Sequence, residues 1–415
     1  MTAWWRRAAQ AGLGAAIAVV VLYGSGSLSP GMRAAVRNGQ LPPDVQERFE
    51  RMSREAEARG LAEPFRGITT DGTVMPRLFT IASTGVSTAP VVEAATAFLD
   101  SLDGGMRARA TFPADDPEWR KWMNQHFYRR QGVGFVDMND AQRTAALNLL
   151  KASLSAKGLA LSRDIMRLNH TLGELNGDNF AEYGEWLYYL TVMGTPSATE
   201  PWGWQLDGHH LIVNYFVLGD QVVMTPSFFG SEPVTATSGK YKGVSVMQEE
   251  QNEGLALLNA LTEAQRAKAV LQGTKTSNNS LTEAFRDNVV LDYAGIPAKE
   301  LTDAQRSQLL KLIGLYVGNM AERHAKVKME EIRRHFDSTY FAWIGGHAPD
   351  AVFYYRIHSP VILIEFDHQR PVGLRRRMPG VETPIRDHIH AVIRTPNGND
   401  YGKDLLRQHY AAHPH

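Results

Sequence analysis

Imidazole and carboxylate side chains are concentrated in two short runs near the carboxyl end, VILIEFD and HIHAVIR. Their charged and imidazole positions are Glu365, Asp367, His388, His390 and Arg394. Because side chains alternate between the two faces of a β-strand, the polar members of each run share one face. Two histidines two residues apart, together with one carboxylate, form a ligand set suited to zinc, iron or manganese. The pattern predicts a divalent-metal site at His388, His390 and Glu365.

The two runs must pair in a way that keeps their apolar residues on the core side. If they are antiparallel neighbours, directly opposed residues lie on the same face of the sheet. Ile364 and Phe366 then lie beside Ile389 and Ala391, which places the carboxylates among the histidines. A slip of one residue would turn charged groups toward the core, so the alternation favours this register.

Another pair of histidines occurs at the predicted start of an earlier strand, in the segment Asp-Gly-His209-His210. In an extended backbone the two rings point to opposite faces, so only one reaches the metal site unless Gly208 allows a turn. His210 is preferred because it shares a face with Asn214, which matches Glu365 in the repeat described below. The alternative is that one histidine caps the strand and the other is exposed.

Further residues are assigned roles by their chemistry. Asp367 or His358 could carry protons, and Arg394 could orient an anionic group. The predicted substrate contacts are Arg356, Trp204, Asn214, Asn399, Asp400 and Tyr401. Two alternatives stay open, namely a metal-free acid–base or anion site and a solvated polar face of a one-sided antiparallel sheet.

Composition excludes several classes of site. Lysine plus arginine equals aspartate plus glutamate at 44 each, so no basic field indicates nucleic acid as a partner. The chain has no cysteine, which excludes disulfides, thiolate ligands, a cysteine nucleophile and a lipoprotein anchor. No phosphate-binding glycine loop or dinucleotide fingerprint occurs, so no nucleotide cofactor is predicted. A small-molecule or anionic substrate is the expected partner.

The first residues indicate a location. A charged start with Arg6 and Arg7 precedes an apolar segment from Ala8 to Tyr23 and then small residues. This order is typical of an export signal, here over residues 1–27, with an uncleaved membrane anchor as the alternative. Residues 28–88 are predicted to be a mobile or loosely helical lead-in. We therefore expect an extracytoplasmic protein, periplasmic or secreted, that meets a membrane only through an uncleaved first segment.

The rest of the chain contains an internal duplication. Motifs in residues 89–245 recur in the same order in residues 246–415, including the starts of predicted helices. Asn139, Thr262 and Thr302 each stand three residues before a glutamine, the spacing of a capping box. The predicted fold is α+β, in which each repeat has helices followed by antiparallel strands, and the repeats share one sheet or form facing sheets.

The motifs in combination resemble the domain-of-unknown-function 3500 family over roughly residue 89 to the carboxyl end. They are Pro201–Leu211, Thr225–Pro233, Ile364–Phe366, His388–His390 and Asn399–Gly402. The resemblance implies no activity, so the functional prediction depends on the residues themselves. We predict an exported metal-dependent enzyme, with hydrolysis favoured over non-haem iron or copper oxidation. The alternative is a non-catalytic extracytoplasmic protein that binds a metal, sugar or small anion.

Overall fold

The computed structural model describes residues 35–413. The predicted export signal, residues 1–27, lies outside this range. Within it, none of the helices combines the length and apolar character needed to cross a membrane. The helices are α1 Pro43–Gly60, α2 Ala89–Ser101, α3 Gly104–Ala110, α4 Asp140–Ser153, α5 Ala156–Leu175, α6 Gln248–Ala260, α7 Glu263–Ala269, α8 Asp303–Val317, α9 Glu322–Arg334 and α10 Lys403–Ala412. Short 3-10 turns occur at Pro117–Arg120, Ala298–Glu300, Phe336–Ser338 and Asp400–Gly402.

Thirteen strands of the described chain form one sheet. They are β1 Thr111–Phe112, β2 Val133–Gly134, β3 Tyr188–Met193, β4 Trp202–Gly208, β5 Leu211–Leu218, β6 Gln221–Val223, β7 Ser227–Ser231, β8 Val270–Gln272, β9 Ile296–Pro297, β10 Tyr340–Gly345, β11 Phe353–His358, β12 Leu363–His368 and β13 Ile389–Arg394. The sheet runs in the order β1-β3-β4-β5-β7-β13-β12-β11-β10-β8, and β2, β6 and β9 pair with β3, β5 and β10. Its pairs are antiparallel except at the two ends, where β1–β3 and β8–β10 are parallel.

The mixed helix and strand content with a large, mostly antiparallel sheet confirms the fold class in outline. The central pair consists of β7 from residues 89–245 and β13 from residues 246–415. The two predicted repeats therefore meet in the middle of one sheet, while the duplication itself stays a prediction. The same holds for the predicted boundaries of the repeats and of the lead-in over residues 28–88.

The predicted capping boxes form at all three helix starts. In α4, α7 and α8 the Asn139, Thr262 or Thr302 side chain accepts a hydrogen bond from the backbone of the glutamine three residues on. That glutamine side chain in turn accepts from the capping residue's backbone N–H. Each box satisfies two donors that a helix start otherwise leaves unpaired, which explains why the helices begin there.

The pairing predicted for the two carboxyl-terminal runs is confirmed. Strand β12 is antiparallel to β13, with Asp367 opposite His390 and Glu365 opposite Val392. Opposed residues share a face, so the carboxylates and the histidines point to the same side of the sheet. The two strands are entirely buried, because segments without regular secondary structure cover this polar face.

Helix α1 lies within the stretch predicted to be a lead-in. It begins with Pro43 at its first turn, where the missing N–H costs nothing. Val45 and Phe49 are buried against Phe127 and Tyr128, so this helix forms a small apolar cluster of its own with the body of the protein.

Candidate metal centre

Three histidine rings converge on one point in the middle of the sheet. The Nε2 atoms of His210 and His388 are 3.2 Å apart, those of His210 and His390 3.1 Å, and those of His388 and His390 3.0 Å. The residues are buried, with exposed fractions of 5%, 3% and 7%. Among the described residues these three histidines form a group with the ligand spacing of a metal site.

Strand geometry explains the positions of two of these rings. His388 directly precedes β13 and His390 lies within it, so their side chains, two residues apart, point to the same face. Gly230 of β7 lies opposite His390. A Cβ atom at Gly230 would come within 2.4 Å of the Ile389 carbonyl oxygen, so a glycine is needed for the strands to lie this close.

His210 arrives from a tight turn rather than from a strand. His209 and His210 form the two-residue connection between β4 and β5, and His210 has a left-handed φ of 61°. Its backbone N–H donates to the Asn124 carbonyl, and its own carbonyl accepts from Gly230 N–H. These bonds hold the turn against β7, and the His210 ring extends to β13. The left-handed residue costs on the order of 1 kcal/mol, which these bonds offset.

Hydrogen bonds on the far side of two rings fix which nitrogen carries the proton. His388 Nδ1 lies 2.6 Å from the Arg370 carbonyl oxygen, which can only accept, so Nδ1 is protonated. His390 Nδ1 lies 2.8 Å from Glu283 Oε1 and donates to that carboxylate. In a neutral imidazole the other nitrogen, Nε2, then presents its lone pair to the centre.

Two lone pairs facing each other at 3.0 Å repel unless a cation lies between them. An ion bound about 2.0–2.1 Å from each nitrogen requires N···N separations of about 2.9 Å at octahedral angles and about 3.4 Å at tetrahedral angles. The observed 3.0–3.2 Å separations fall between these limits. The arrangement fits a divalent ion held by three imidazoles, with further coordination positions left for other ligands.

Burial also keeps two of the rings, His210 and His390, in the neutral form that binds metals. It lowers the pKa of His210 and His390 well below the usual range, and the neighbouring imidazoles lower it further. Burial raises the pKa of Glu283 to about 7, while Ser280 and His388 act in the opposite direction. A bound cation would favour the charged form of this carboxylate, since opposite charges stabilise each other at short range.

A family model described as "Protein of unknown function (DUF3500)" matches residues 84–403. The chain belongs to this family. The resemblance seen in the sequence motifs is thereby confirmed, over most of the chain. Among curated proteins and among solved structures, no match to this chain was found. The site in this DUF3500 protein must therefore be interpreted from its own residues.

Glu365 lies on the predicted face, but its carboxylate is used to hold a loop. It accepts hydrogen bonds from the backbone N–H groups of Leu281 and Thr282, from the Thr282 hydroxyl and from the Tyr354 hydroxyl at 2.6 Å. Four donors satisfy the lone pairs of a carboxylate. Glu365 therefore positions the segment next to Glu283 and is not part of the three-histidine group.

Asp367, predicted to carry protons, binds the same loop. It forms a fully buried ion pair with Lys275 at 2.6 Å and accepts from the backbone N–H groups of Asn279 and Ser280. Together with Glu365 it fastens residues 275–283, which we call the strap, across the polar face of β12 and β13. The strap in turn carries Glu283 to His390.

His209 lies next to the group without belonging to it. Its Nδ1 is 2.8 Å from Asn169 Oδ1, and its ring stacks on His210 at 4.0 Å between centroids. The turn explains this, since the backbone is not extended and the two rings need not point to opposite faces. Burial lowers the pKa of His209 well below its usual range, so the ring stays neutral.

Arg394 is at the far end of β13 in a buried ion-pair network. Its guanidinium lies 2.9 Å from Asp287 and 3.3 Å from Asp400. Tyr401 also donates to Asp287, at 3.0 Å. Arg394 is four residues along the strand from His390, which is about 13 Å. The structure does not bring these three predicted residues, Arg394, Asp400 and Tyr401, to the histidines.

The other predicted substrate contacts are also dispersed. Arg356 donates to the Asp292 carbonyl, and Trp204 is fully buried and stacked on Tyr215 at 5.4 Å. The remaining substrate positions are Asn214, which bonds Gln205 and Pro226, and Asn399, which accepts from Leu405. His358, predicted to carry protons, packs on Tyr293. None of these contacts involves the three-histidine group.

Two groups that support the three histidines, Glu283 and the Arg370 carbonyl, had no recognisable pattern in the sequence. The same is true of Asn169, which bonds the neighbouring His209 ring. These groups come from the strap, from the segment between β12 and β13, and from the second half of α5. Glu283 lies in a stretch without strand or helix periodicity, and a backbone carbonyl has no residue type at all. Only the three-dimensional path of the chain identifies them.

Proposed function

We propose that this DUF3500 protein binds one divalent transition metal at His210, His388 and His390 and uses this metal to catalyse hydrolysis. The observation that carries the proposal is the convergence of three Nε2 atoms, two of them held as lone-pair donors by bonds to Arg370 and Glu283. A hydrogen bond from the other ring nitrogen to a carbonyl or carboxylate is characteristic of metal-binding histidines. Zinc is the best match, because it favours imidazole ligands and needs no carboxylate.

Hydrolysis follows from the charge of the ligand set. Three neutral imidazoles leave the full +2 charge on the ion, and such an ion can lower the pKa of its bound water to about 7. Hydroxide held in this way attacks carbonyl or phosphoryl centres at neutral pH. Non-haem iron chemistry is less favoured, since the carboxylate that would complete a facial iron triad, Glu365, is bound to the strap.

Two further elements of the proposal concern the whole chain. We take residues 89–245 and 246–415 to be pseudo-repeats, and the order of strands from each edge of the sheet toward β7 and β13 supports this. The site then lies where the halves meet. We also take the protein to be extracytoplasmic, on the basis of the charged and apolar first 27 residues.

A binding role without turnover is the second candidate. It is favoured by the low exposure of the three histidines, 3–7%, which resembles a closed structural site more than a catalytic one. Such a protein would hold its metal without exchanging a ligand at the remaining coordination positions. A sugar or small anion as its ligand has no comparable support at this site.

Cobalt substitution separates the two candidates. Cobalt(II) reports its coordination through visible absorption, and azide can replace only an exchangeable ligand. The hydrolase proposal expects azide to change the spectrum, and it expects the zinc-loaded protein to cleave a member of an ester, phosphoester and amide panel. The chelated protein and His390→Ala should not cleave it. A cobalt spectrum unaffected by azide, with no turnover of the panel, would leave the binding role.

A further inference from the structure

A cavity of about 370 Å³ lies on the opposite face of the sheet from the three histidines. Phe228 of β7 contacts the His390 ring at 4.9 Å, so the next residue, Phe229, points to the other side. Phe229, Ile362 and Ile393 line the cavity from the sheet. The size falls in the range of small-molecule sites, about 300–1,000 Å³. This cavity is separate from the candidate metal centre.

Helices α8 and α9 form another wall, and residues 78–84 and 221–225 line much of the rest of the cavity. Val317 and Met320 line it from the end of α8 and the connection that follows, and Val327 lines it from α9. Most of α9 is charged, and only His324, Ala325 and Ile332 are buried. The helix therefore covers the sheet, but its apolar side chains do not fill the space beneath it. Such unfilled space is unusual in a native core.

One polar side chain on this wall faces the cavity. His324 is 6% exposed and lines the cavity, and no hydrogen bond joins its ring nitrogens to another residue of the described chain. These nitrogens are not among the fully enclosed polar atoms that lack a partner, so they are reached from the cavity. A ligand in the cavity would supply the hydrogen-bond partner that such a ring ordinarily has.

We propose that the cavity binds a small, mainly apolar molecule with an uncharged oxygen, such as an alcohol, and that this oxygen hydrogen-bonds to the His324 ring. The apolar lining from Phe229, Ile393 and Met320 holds the hydrocarbon part. A neutral imidazole offers one donor and one acceptor, which matches a hydroxyl group.

The charges at the mouth favour an uncharged ligand. Lys328 is paired with Glu331 at 2.7 Å and also donates to the Val361 carbonyl. The exposed Glu330 and Arg334 carry opposite charges, so together the rim has no net charge. Burial lowers the pKa of His324, while Asp220 opposes this. A carboxylate in this cavity would lose its hydration. Of the two basic lining residues, Lys328 is already paired and Arg334 is solvated, so neither would compensate for that loss.

The test compares 1-hexanol with hexanoate by isothermal titration calorimetry on the full-length, metal-loaded protein. We expect hexanol to bind and hexanoate to bind at least 10-fold more weakly. His324→Phe keeps an aromatic ring and removes the hydrogen bond, so hexanol should bind about 5- to 10-fold more weakly. Met320→Trp places a larger side chain on the cavity wall and should weaken hexanol binding about 5- to 10-fold. Arg333→Ala is the matched control, because Arg333 neighbours Arg334 but does not line the cavity, and it should change nothing.

Metal content and circular dichroism show whether each variant is folded, and His390→Ala shows whether hexanol uses the metal centre instead. The proposal is supported if hexanol binding is weakened in His324→Phe and Met320→Trp and retained in His390→Ala. It is overturned if hexanol does not bind the parent protein, if hexanoate binds as tightly, or if folded His324→Phe or folded Met320→Trp binds hexanol unchanged. If His324→Phe does not fold, Met320→Trp alone decides the result.

Discussion

The chemistry of the centre depends on the tautomers of single histidine rings. His388 donates its Nδ1–H to the Arg370 carbonyl, and His390 donates its Nδ1–H to Glu283. These bonds direct both Nε2 lone pairs to the same point. His210 completes the group from another part of the chain. No one of these rings would form a site alone, since a single buried imidazole is satisfied by one or two ordinary hydrogen bonds.

Replacement of a ligand ring tests this assignment. His388→Ala and His390→Ala should each lose stoichiometric zinc, measured by inductively coupled plasma mass spectrometry after dialysis, because two imidazoles bind zinc far more weakly than three. His209→Phe is the matched control, since it keeps a stacked ring beside His210 and removes no ligand. Equal zinc content in the two alanine variants and the parent would contradict the assignment.

His358, predicted from the sequence to carry protons, gives a pH-dependent prediction. Burial lowers its pKa from 6.5 to about 3, and Arg356 adds to the effect. The unfolded chain therefore takes up a proton between these pH values that the folded protein does not. The contribution of His358 to the free energy of unfolding is complete above pH 6.5 and is lost as the pH falls toward 3.

His358→Gln should consequently lose less stability on acidification than the parent, by on the order of 2–3 kcal/mol between pH 7 and pH 4. Urea unfolding at pH 7, 5.5 and 4 measures this difference. His347 is exposed, so His347→Gln serves as a control. Its free energy of unfolding should change with pH as that of the parent does. Parallel stability curves for His358→Gln and the parent would show that the neutral state of the ring has no such effect.

At the scale of elements, strand alternation was enough to predict the carboxyl-terminal pair. The period of two in β12 and β13 specified both the register and the shared face of Glu365, Asp367, His388 and His390. Alternation does not say what a polar residue on that face binds. The two carboxylates hold the strap, which comes from a part of the chain more than 80 residues away, and no local pattern encodes such a contact.

The turn between β4 and β5 shows a similar limit. The sequence placed His209 and His210 at the start of one strand and left open whether an extended or a turned backbone positions the rings. In the structure the two residues connect the antiparallel pair β4 and β5. The left-handed φ of His210 depends on tertiary bonds to Asn124 and Gly230. Sequence patterns describe strands better than such turns, because a turn is determined by what packs against it.

The strap makes the stability of the fold and the affinity for metal depend on the same residue. In Glu365→Gln, the side-chain amide would face the N–H groups of Leu281 and Thr282, which need an acceptor. We expect a loss of about 2–4 kcal/mol in the free energy of unfolding, measured by urea titration. Zinc affinity should fall about 10-fold, because Glu283 would no longer be held against His390.

Glu283→Gln separates the two effects. It removes the charge beside His390 without disturbing the anchor of the strap, so it should lower zinc affinity by a similar factor while leaving urea stability nearly unchanged. Competition with a fluorescent chelator measures the affinity. If Glu365→Gln changes stability but not zinc affinity, the strap has no part in supporting the metal centre.

For the whole molecule, the centre joins two parts of the sheet. The His209–His210 turn connects β4 and β5, and β13 belongs to the second half of the chain, with β7 between them. An ion at this position would act as a cross-link in the middle of one large sheet. Metal binding and folding are then coupled, since the unfolded chain does not hold the three rings together.

Removal of the metal should therefore destabilise the protein. A ligand present at about 1,000 times its dissociation constant contributes about 4 kcal/mol, which in a protein of this size corresponds to a decrease of several degrees in Tm on chelation. Differential scanning calorimetry with and without a chelator measures the change, and added zinc should reverse it. His390→Ala should show no response to the chelator. A parent protein whose Tm does not depend on the chelator would contradict the coupling.

The central claim is that an ion sits between these three nitrogens, and anomalous diffraction tests it most directly. Crystals of the zinc-loaded protein, measured on both sides of the zinc absorption edge, should give one strong anomalous peak about 2.0–2.1 Å from the Nε2 atoms of His210, His388 and His390. A zinc peak at another position, or no peak at these rings in zinc-loaded crystals, would contradict the account.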